Sequence, residues 1–453
     1  MPANPGRFEQ VEDFTSAGNR LGLAPRFGSN PLLAAKMRIL LVIALWALPP
    51  AAAEADDWPQ FRGPDRSGIS RETGLLKSWP KEGPALRWTF RDAGAGFSPP
   101  SIVGDRFYCM GSKDTKDYVF ALDTQTGEQL WSASVGPRRL TDWGDGPCAT
   151  PTVDGDHLYA LSILGELHCL ERATGKSVWN VHLKNELGGK ILHDGRFTES
   201  CLIDGDRLIC SPGGKNGTMA ALDKKTGKVI WRSKGLTDDA VCSSPIAVEL
   251  DGIRQYVNLT GGGVAGVAAD DGRLLWKSNL PAAWIMVATP IAFKDNIYVT
   301  TAYGVGCGLL RIRREGEVAK AEIVYRNKVM KNHHSGVILM DGHVYGCSDP
   351  QGWLCQEIET GKAVWEDRQF FGKGSMTWAD GHLYCYTEDR GDVALVKATP
   401  RQWQKVSQFS IPEKTKIARK QGKIWTPPVI AHGRLYLRDN DLIFCYDIKE
   451  NGR

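Results

Sequence analysis

Apolar and polar residues alternate along most of the chain in short runs broken by glycine, proline and aspartate, a period-2 pattern that predicts strands and hairpins. One run recurs. Ala121 to Trp131 reads A-L-D-T-Q-T-G-E-Q-L-W, and 169–179, 221–231 and 355–365 repeat its small-x-acidic-x-x-Thr-Gly-x-x-x-Trp form. A degenerate copy, Gly266 to Trp276, keeps the acidic residue, the glycine and the tryptophan. Apolar residues alternate on both sides of Thr-Gly, so the unit reads as two strands joined by a tight turn in which glycine takes a positive φ. The tryptophan is placed to wedge between neighbouring sheets with its indole N–H on a carbonyl. A period of roughly forty to fifty residues is that of propeller blades.

A second marker counts the blades independently. Short turns precede an aromatic second strand at Gly104-Asp105, Asp154-Gly155, Asp204-Gly205, Asp251-Gly252, Lys294-Asp295, Asp341-Gly342, Asp380-Gly381 and His432-Gly433, which makes eight. The eighth unit, 426–447, stops before a fourth strand. Ala85-Leu86-Arg87-Trp88-Thr89-Phe90 has the pattern of that missing strand, with Trp88 as its tryptophan. The expected fold is therefore all-β, an eight-bladed β-propeller closed by an N-terminal strand that completes the last blade, which removes open sheet edges. Two units are irregular: the fifth has Arg313-Arg314-Glu315-Gly316-Glu317 where Thr-Gly belongs, and the seventh has Thr399-Pro400 with Trp403.

The expected organisation is a propeller over 85–450, preceded by a lead segment over 56–84. Upstream, Lys36-Met37-Arg38, the apolar run Ile39 to Leu48 and the small residues at 51–55 read as a signal peptide over 37–55. The apolar run is too short to span a membrane. Because such leaders stand at a chain start, 1–36 is read as a misassigned or disordered extension. Export to the periplasm or medium is the resulting expectation, as a monomer with no membrane span after cleavage.

Composition changes this picture little. A formal net charge of +4 over 453 residues, with no basic stripe among aromatics, argues against nucleic acid. Eleven cysteines are an odd number. Cys169, Cys355 and Cys445 fill the slot that Ala121 and Ala221 fill elsewhere, which predicts small buried core positions; Cys201 with Cys210 is the pair to test first for a disulfide. No zinc-ligand spacing is present, and His333 with His334, adjacent on a strand, would face opposite ways.

Candidate chemistry lies where the chain leads into each innermost strand, at the mouth of the central channel. Most of these positions are small hydroxyl residues. Glu199, His333 or His334, Lys373 and Trp425, with Ser375, bring a carboxylate, an imidazole, an ammonium and an aromatic face to one mouth, the mix a polar pocket uses. Loops 136–147 and 182–198 are expected to form the rim. The competing reading has these residues capping strand ends or pairing with one another.

The A-L-D-x-x-T-G-x-x-x-W units resemble the tryptophan-docking repeats of the pyrroloquinoline quinone (PQQ) repeat superfamily, over about 85–450. Its members include PQQ-dependent dehydrogenases and non-enzymatic propellers, such as the propeller lipoprotein of the bacterial outer-membrane barrel-assembly machine. W-P-Q-F-R-G-P (58–64) and N-H-H-S (332–335) further resemble exported bacterial PQQ-binding-like proteins. The resemblance implies PQQ and calcium as the cofactors to test, yet no residue specifically supports either, and the adjacent-cysteine disulfide of the dehydrogenases has no counterpart here. The leading expectation is a non-catalytic binding or scaffold module that holds a protein, peptide or glycan of the cell envelope. A PQQ-dependent alcohol or sugar dehydrogenase is the alternative. A hydrolase or lyase using Glu199 or a histidine has no spacing to support it.

Overall fold

A computed structural model describes residues 57–450, apart from 193, 194, 282, 284, 335 and 368–370. The extension and leader expected over 1–55 lie outside the described residues, which contain no helix long and apolar enough to cross a membrane. Seven sheets are formed by consecutive antiparallel strands, spanning 101–137, 152–182, 202–232, 246–278, 291–327, 338–366 and 374–410, here blades 1 to 7. Blade 8 joins Val429–Ala431, Arg434–Asp439 and Leu442–Asp447 to Ala85–Phe90, paired from Ala85↔Asp447 to Phe90↔Ile443. The ring of eight is thus closed by the N-terminal strand, as its sequence pattern predicts.

Local chemistry explains the repeated unit. Asp123 Oδ1 accepts from the Gln125 and Thr126 N–H groups at 2.8 and 3.0 Å, and Asp223 does the same for Lys225 and Thr226 two blades on. Gly127, Gly175, Gly227 and Gly272 all have φ between 71 and 75°. Each also lies under the tryptophan of the preceding blade, so that an added Cβ would overlap an indole carbon. That tryptophan donates its Nε1–H to a turn carbonyl in the glycine's own blade: Trp88 to Thr124 O at 2.9 Å, Trp131 to Arg172 O at 3.2 Å, Trp179 to Lys224 O at 3.0 Å and Trp231 to Ala269 O at 3.2 Å.

The small slot has an equally direct cause. Ala121 stands in register between Tyr108 and Trp131, Cys169 between Tyr159 and Trp179, Cys355 between Tyr345 and Trp365, and Cys445 between Tyr436 and Trp88. The flanking rings meet across it at 6.0 to 6.1 Å, leaving room for alanine or a thiol only. All eleven cysteines, including Cys201 and Cys210, are free.

The irregular blades substitute other residues. In blade 5, Tyr325 takes the docking role: its ring lies 2.5 Å from a Cβ built on Gly361, and its hydroxyl donates to Ile358 O at 2.8 Å. Trp403 of blade 7 precedes the fourth strand, Lys405–Ser410, and packs back on Trp353 and Trp365 of blade 6. The seam between blades 7 and 8 is filled from the lead segment by Trp79, edge-on to Phe409 at 5.3 Å.

The rest of the lead segment runs through the axis of the ring. Trp58 bridges Ile102 of blade 1, Pro59 O accepts from Val153 N–H of blade 2, and Ile69–Ser70 pairs in parallel with the innermost strand of blade 7. Arg66, fully buried, donates to Ser200 O and Cys201 O at blade 3 and to Pro245 O at blade 4. Arg62 reaches Val337 O at blade 6 at 2.6 Å. Two arginines therefore donate to buried backbone carbonyls from three blades, of which Cys201 O also accepts from the Thr152 hydroxyl at 2.7 Å.

Candidate functional site

One end of the channel opens into a cleft of about 170 Å³. Its walls come from the turns leading into the innermost strands, including Phe97, Thr198, Ser244, His333 and Trp425, and its floor includes Phe61 of the lead segment. The plug that fills the axis is thus also the base of the cleft.

Of the six residues expected at this mouth, His333, His334 and Trp425 line the cleft directly. Lys373 stands behind them: its Nζ lies 2.7 Å from His333 Nδ1, 3.5 Å from Asp349 Oδ1 and 3.9 Å from Glu388 Oε1. Ser375 is buried in the innermost strand of blade 7. Glu199 is 2% exposed and lies near Arg66 of the plug; its Oε1 accepts from Ser211 N–H of blade 3 at 2.5 Å, and Oε2 has no hydrogen-bond partner. Burial pushes its carboxyl up to about 7, against the nearby Ser211 donors and the Arg66 guanidinium. Burial in turn lowers Arg66 to about 10.

The histidines do not diverge as adjacent strand residues would, because both precede the innermost strand of blade 6, Ile338–Met340; their ring centroids lie 5.0 Å apart. The Lys373 ammonium can only donate, so His333 Nδ1 accepts and its proton sits on Nε2, which donates to Tyr303 Oη at 2.7 Å. Burial and the Lys373 charge hold His333 down at about 4, partly offset by Asp349. His334 is held well below its ordinary value by burial, then by His333 and Lys373. Its Nε2 stands 2.8 Å from Glu388 Oε2 without the alignment of a hydrogen bond. Trp425 Nε1–H donates to the same oxygen at 3.2 Å, and burial raises the Glu388 carboxyl. Near neutral pH both imidazoles are uncharged.

Three members of this network, Tyr303, Asp349 and Glu388, were not among the sequence-derived candidates. All three lie in the turn between the second and third strands of blades 5, 6 and 7. In an antiparallel meander that turn points to the same end as the lead-in to the first strand, so a search of both turn sets would have found them.

The residues do not fit a quinone held with calcium. Calcium asks for six to eight oxygens with several carboxylates. Among the described residues no group of three or more histidine, cysteine or acidic side chains could hold a metal ion. The two carboxylates at the mouth, Asp349 and Glu388, face Lys373, His334 and Trp425. They are tied to the Lys373 ammonium and the Trp425 indole, and are not arranged as a cradle for a cation.

A family model described as outer membrane protein assembly factor BamB matches residues 115–366. The BamB of Moranella endobia is 24% identical over 246 residues, covering 52% of this chain and 57% of that protein. The BamB of Burkholderia pseudomallei is 20% identical over 298 residues, covering 57% and 75%. The chain therefore spans little more than half of the first of these relatives. Among solved structures, BamB from Moraxella catarrhalis superposes with a TM-score of 0.54 at 16% identity, covering 81% of this chain and 98% of that one. Quinohemoprotein alcohol dehydrogenase from Comamonas testosteroni gives 0.58 at 14%, covering 89% and 82%. At such identities the structural likeness shows the fold alone, and a dehydrogenase shares it as fully as an assembly factor does. The sequence match over more than half of the chain places it in a family: this protein belongs to the PQQ-repeat propellers described as outer membrane protein assembly factor BamB.

Proposed function

We propose that the protein is a non-catalytic binding or scaffold propeller of the bacterial cell envelope, working in outer membrane protein assembly and using the channel mouth to hold a polypeptide partner. The observation that carries this reading is the family match over 115–366, whose relatives bear the name of an outer membrane protein assembly factor. The site agrees with it. Its ionisable side chains engage one another, and its two histidines are held neutral by burial and a neighbouring ammonium. The leader-like 37–55 segment and the outer membrane in the relatives' name support a periplasmic location.

The test is photo-crosslinking in intact cells from benzoylphenylalanine placed at Thr198, on the cleft wall, with adducts identified by mass spectrometry. The expected adduct is an outer membrane protein or a component that assembles one. A cytoplasmic partner, or dye reduction by an alcohol or sugar that depends on added PQQ and calcium, would overturn the reading.

A further inference from the structure

The mouth cleft is where the chain departs most from its own repeat. Two long connectors, 138–151 and 411–428, meet beside it: Gln421 N–H donates to Asp142 O at 3.1 Å, Lys420 pairs with Asp142 at 2.7 Å, and Gly422 passes so close to Trp143 O that a Cβ would overlap it. Their junction holds Trp143 and Trp425 at the cleft, the latter 5.0 Å from Phe97 with ring planes 32° apart. Phe61 supplies a further ring from below. Tyr303 adopts φ +56°, a conformation that a bulky residue keeps only where its surroundings impose it. That conformation sets its ring edge-on to His333, at 4.8 Å and 75°.

Among the described residues that line the cleft, Arg196 alone carries a charge near neutral pH; Lys373, Asp349 and Glu388 stand behind the wall. Lys373 is engaged by His333 and Asp349, Glu388 by Trp425 and His334, and Arg196 on the wall also has its own interaction. A charged occupant would lose its hydration against a lining that is uncharged at every position but Arg196. An uncharged ring would gain offset and edge contacts with several aromatic neighbours and bury on the order of 150–250 Å². Aromatic anchors in desolvated pockets are also the side chains that dominate interface energies.

We propose that the cleft receives one uncharged aromatic side chain presented by a partner polypeptide, seated among Phe61, Phe97, Trp143, Tyr303 and Trp425. This rests on the binding reading above and names the chemistry recognised at its site. A wall that is uncharged but for Arg196 and rich in aromatic rings favours an uncharged aromatic ligand.

The full-length protein is titrated with N-acetyl-tryptophanamide, Ac-Gly-Trp-Gly-NH2 and Ac-Gly-Glu-Gly-NH2, with binding read by saturation-transfer NMR. Both tryptophan probes should bind saturably, the tripeptide more tightly, and the glutamate peptide should not. Val287→Trp, which fills the cleft from a half-buried apolar position, should weaken binding at least about tenfold with an unchanged melting temperature. Should that variant not fold, Trp143→Ala, at a residue 37% exposed, should weaken binding by about the same factor. The inference is overturned by the absence of saturable tryptophan binding, by equal or tighter binding of the glutamate peptide, or by wild-type affinity in the folded filled variant. Equal affinity for the free amide and the tripeptide overturns the polypeptide source. If Val287→Trp still crosslinks to the wild-type partner, this inference fails while the binding reading stands; a failure of that reading appears instead as the wrong crosslinked partner, whatever the probes do.

Discussion

Trp88 and Gly127 close the ring: the indole of the N-terminal strand donates to Thr124 O at 2.9 Å and lies on Gly127, where a Cβ would sit 2.7 Å from Cδ2. The contact joins blade 8 to blade 1 by the device that joins blades 1 to 2, 2 to 3 and 3 to 4. It is also the contact that makes the segment before the ring part of the ring.

Gly127→Ala should therefore destabilise more than a positive φ alone explains. Gly104, with φ +59° and no atom within 4 Å of an added Cβ, is the control. Gly104→Ala is expected to cost about 1 kcal/mol, Gly127→Ala at least about 2 kcal/mol, and Trp88→Ala about 3–5 kcal/mol. Urea unfolding of the three variants checks the order; equal losses at Gly104 and Gly127 would show that the stacked indole does not matter.

Arg66→Met removes three donated hydrogen bonds and strands the buried carbonyls of Ser200 and Pro245, while Cys201 O keeps the Thr152 hydroxyl. An expected loss of about 3 kcal/mol or more follows from stranding buried acceptors. Limited proteolysis should cut the variant within 57–84 before any blade is cleaved. Wild-type protease resistance would mean that the plug is held by Trp58, Ile69 and Trp79 alone.

Glu199 makes stability depend on pH with a definite sign. Its folded pKa of about 7 lies above its ordinary value of 4.5. The unfolded chain ionises first, so the contribution of Glu199 falls as pH rises from 4.5 to about 7, by about 3 kcal/mol. His333 and His334, depressed by burial, pull the other way below 6.5, so the total curve is not diagnostic. The difference between Glu199→Gln and wild type is: it should move in favour of the variant across that window. Parallel stability curves would remove Glu199 as the source.

Lys373→Met should raise the His333 pKa from about 4 without restoring it to 6.5, because the ammonium goes and the burial stays. Imidazole chemical shifts followed between pH 3 and 8 would measure it. An unmoved value would leave burial as the sole cause, and a fully restored one would make the ammonium the sole cause.

The sequence by itself determined the blade count, the closing strand and the small slot, because each is written within a dozen residues: turn chemistry at Asp123 and Gly127, period-2 alternation around it, and a tryptophan at fixed distance. It also pointed to the right end of the channel, through His333, His334 and Trp425. Which polar groups meet there is set by the closed ring. Tyr303, His333, Asp349, Lys373, Glu388 and Trp425 come from different blades or different turns of one blade, and the ring alone brings them within hydrogen-bonding reach. It likewise brought Glu199 near Arg66 and drew Arg62, Arg66 and Phe61 into the axis. No local pattern encodes such contacts, since Arg66 acquires its carbonyl partners from more than a hundred residues away.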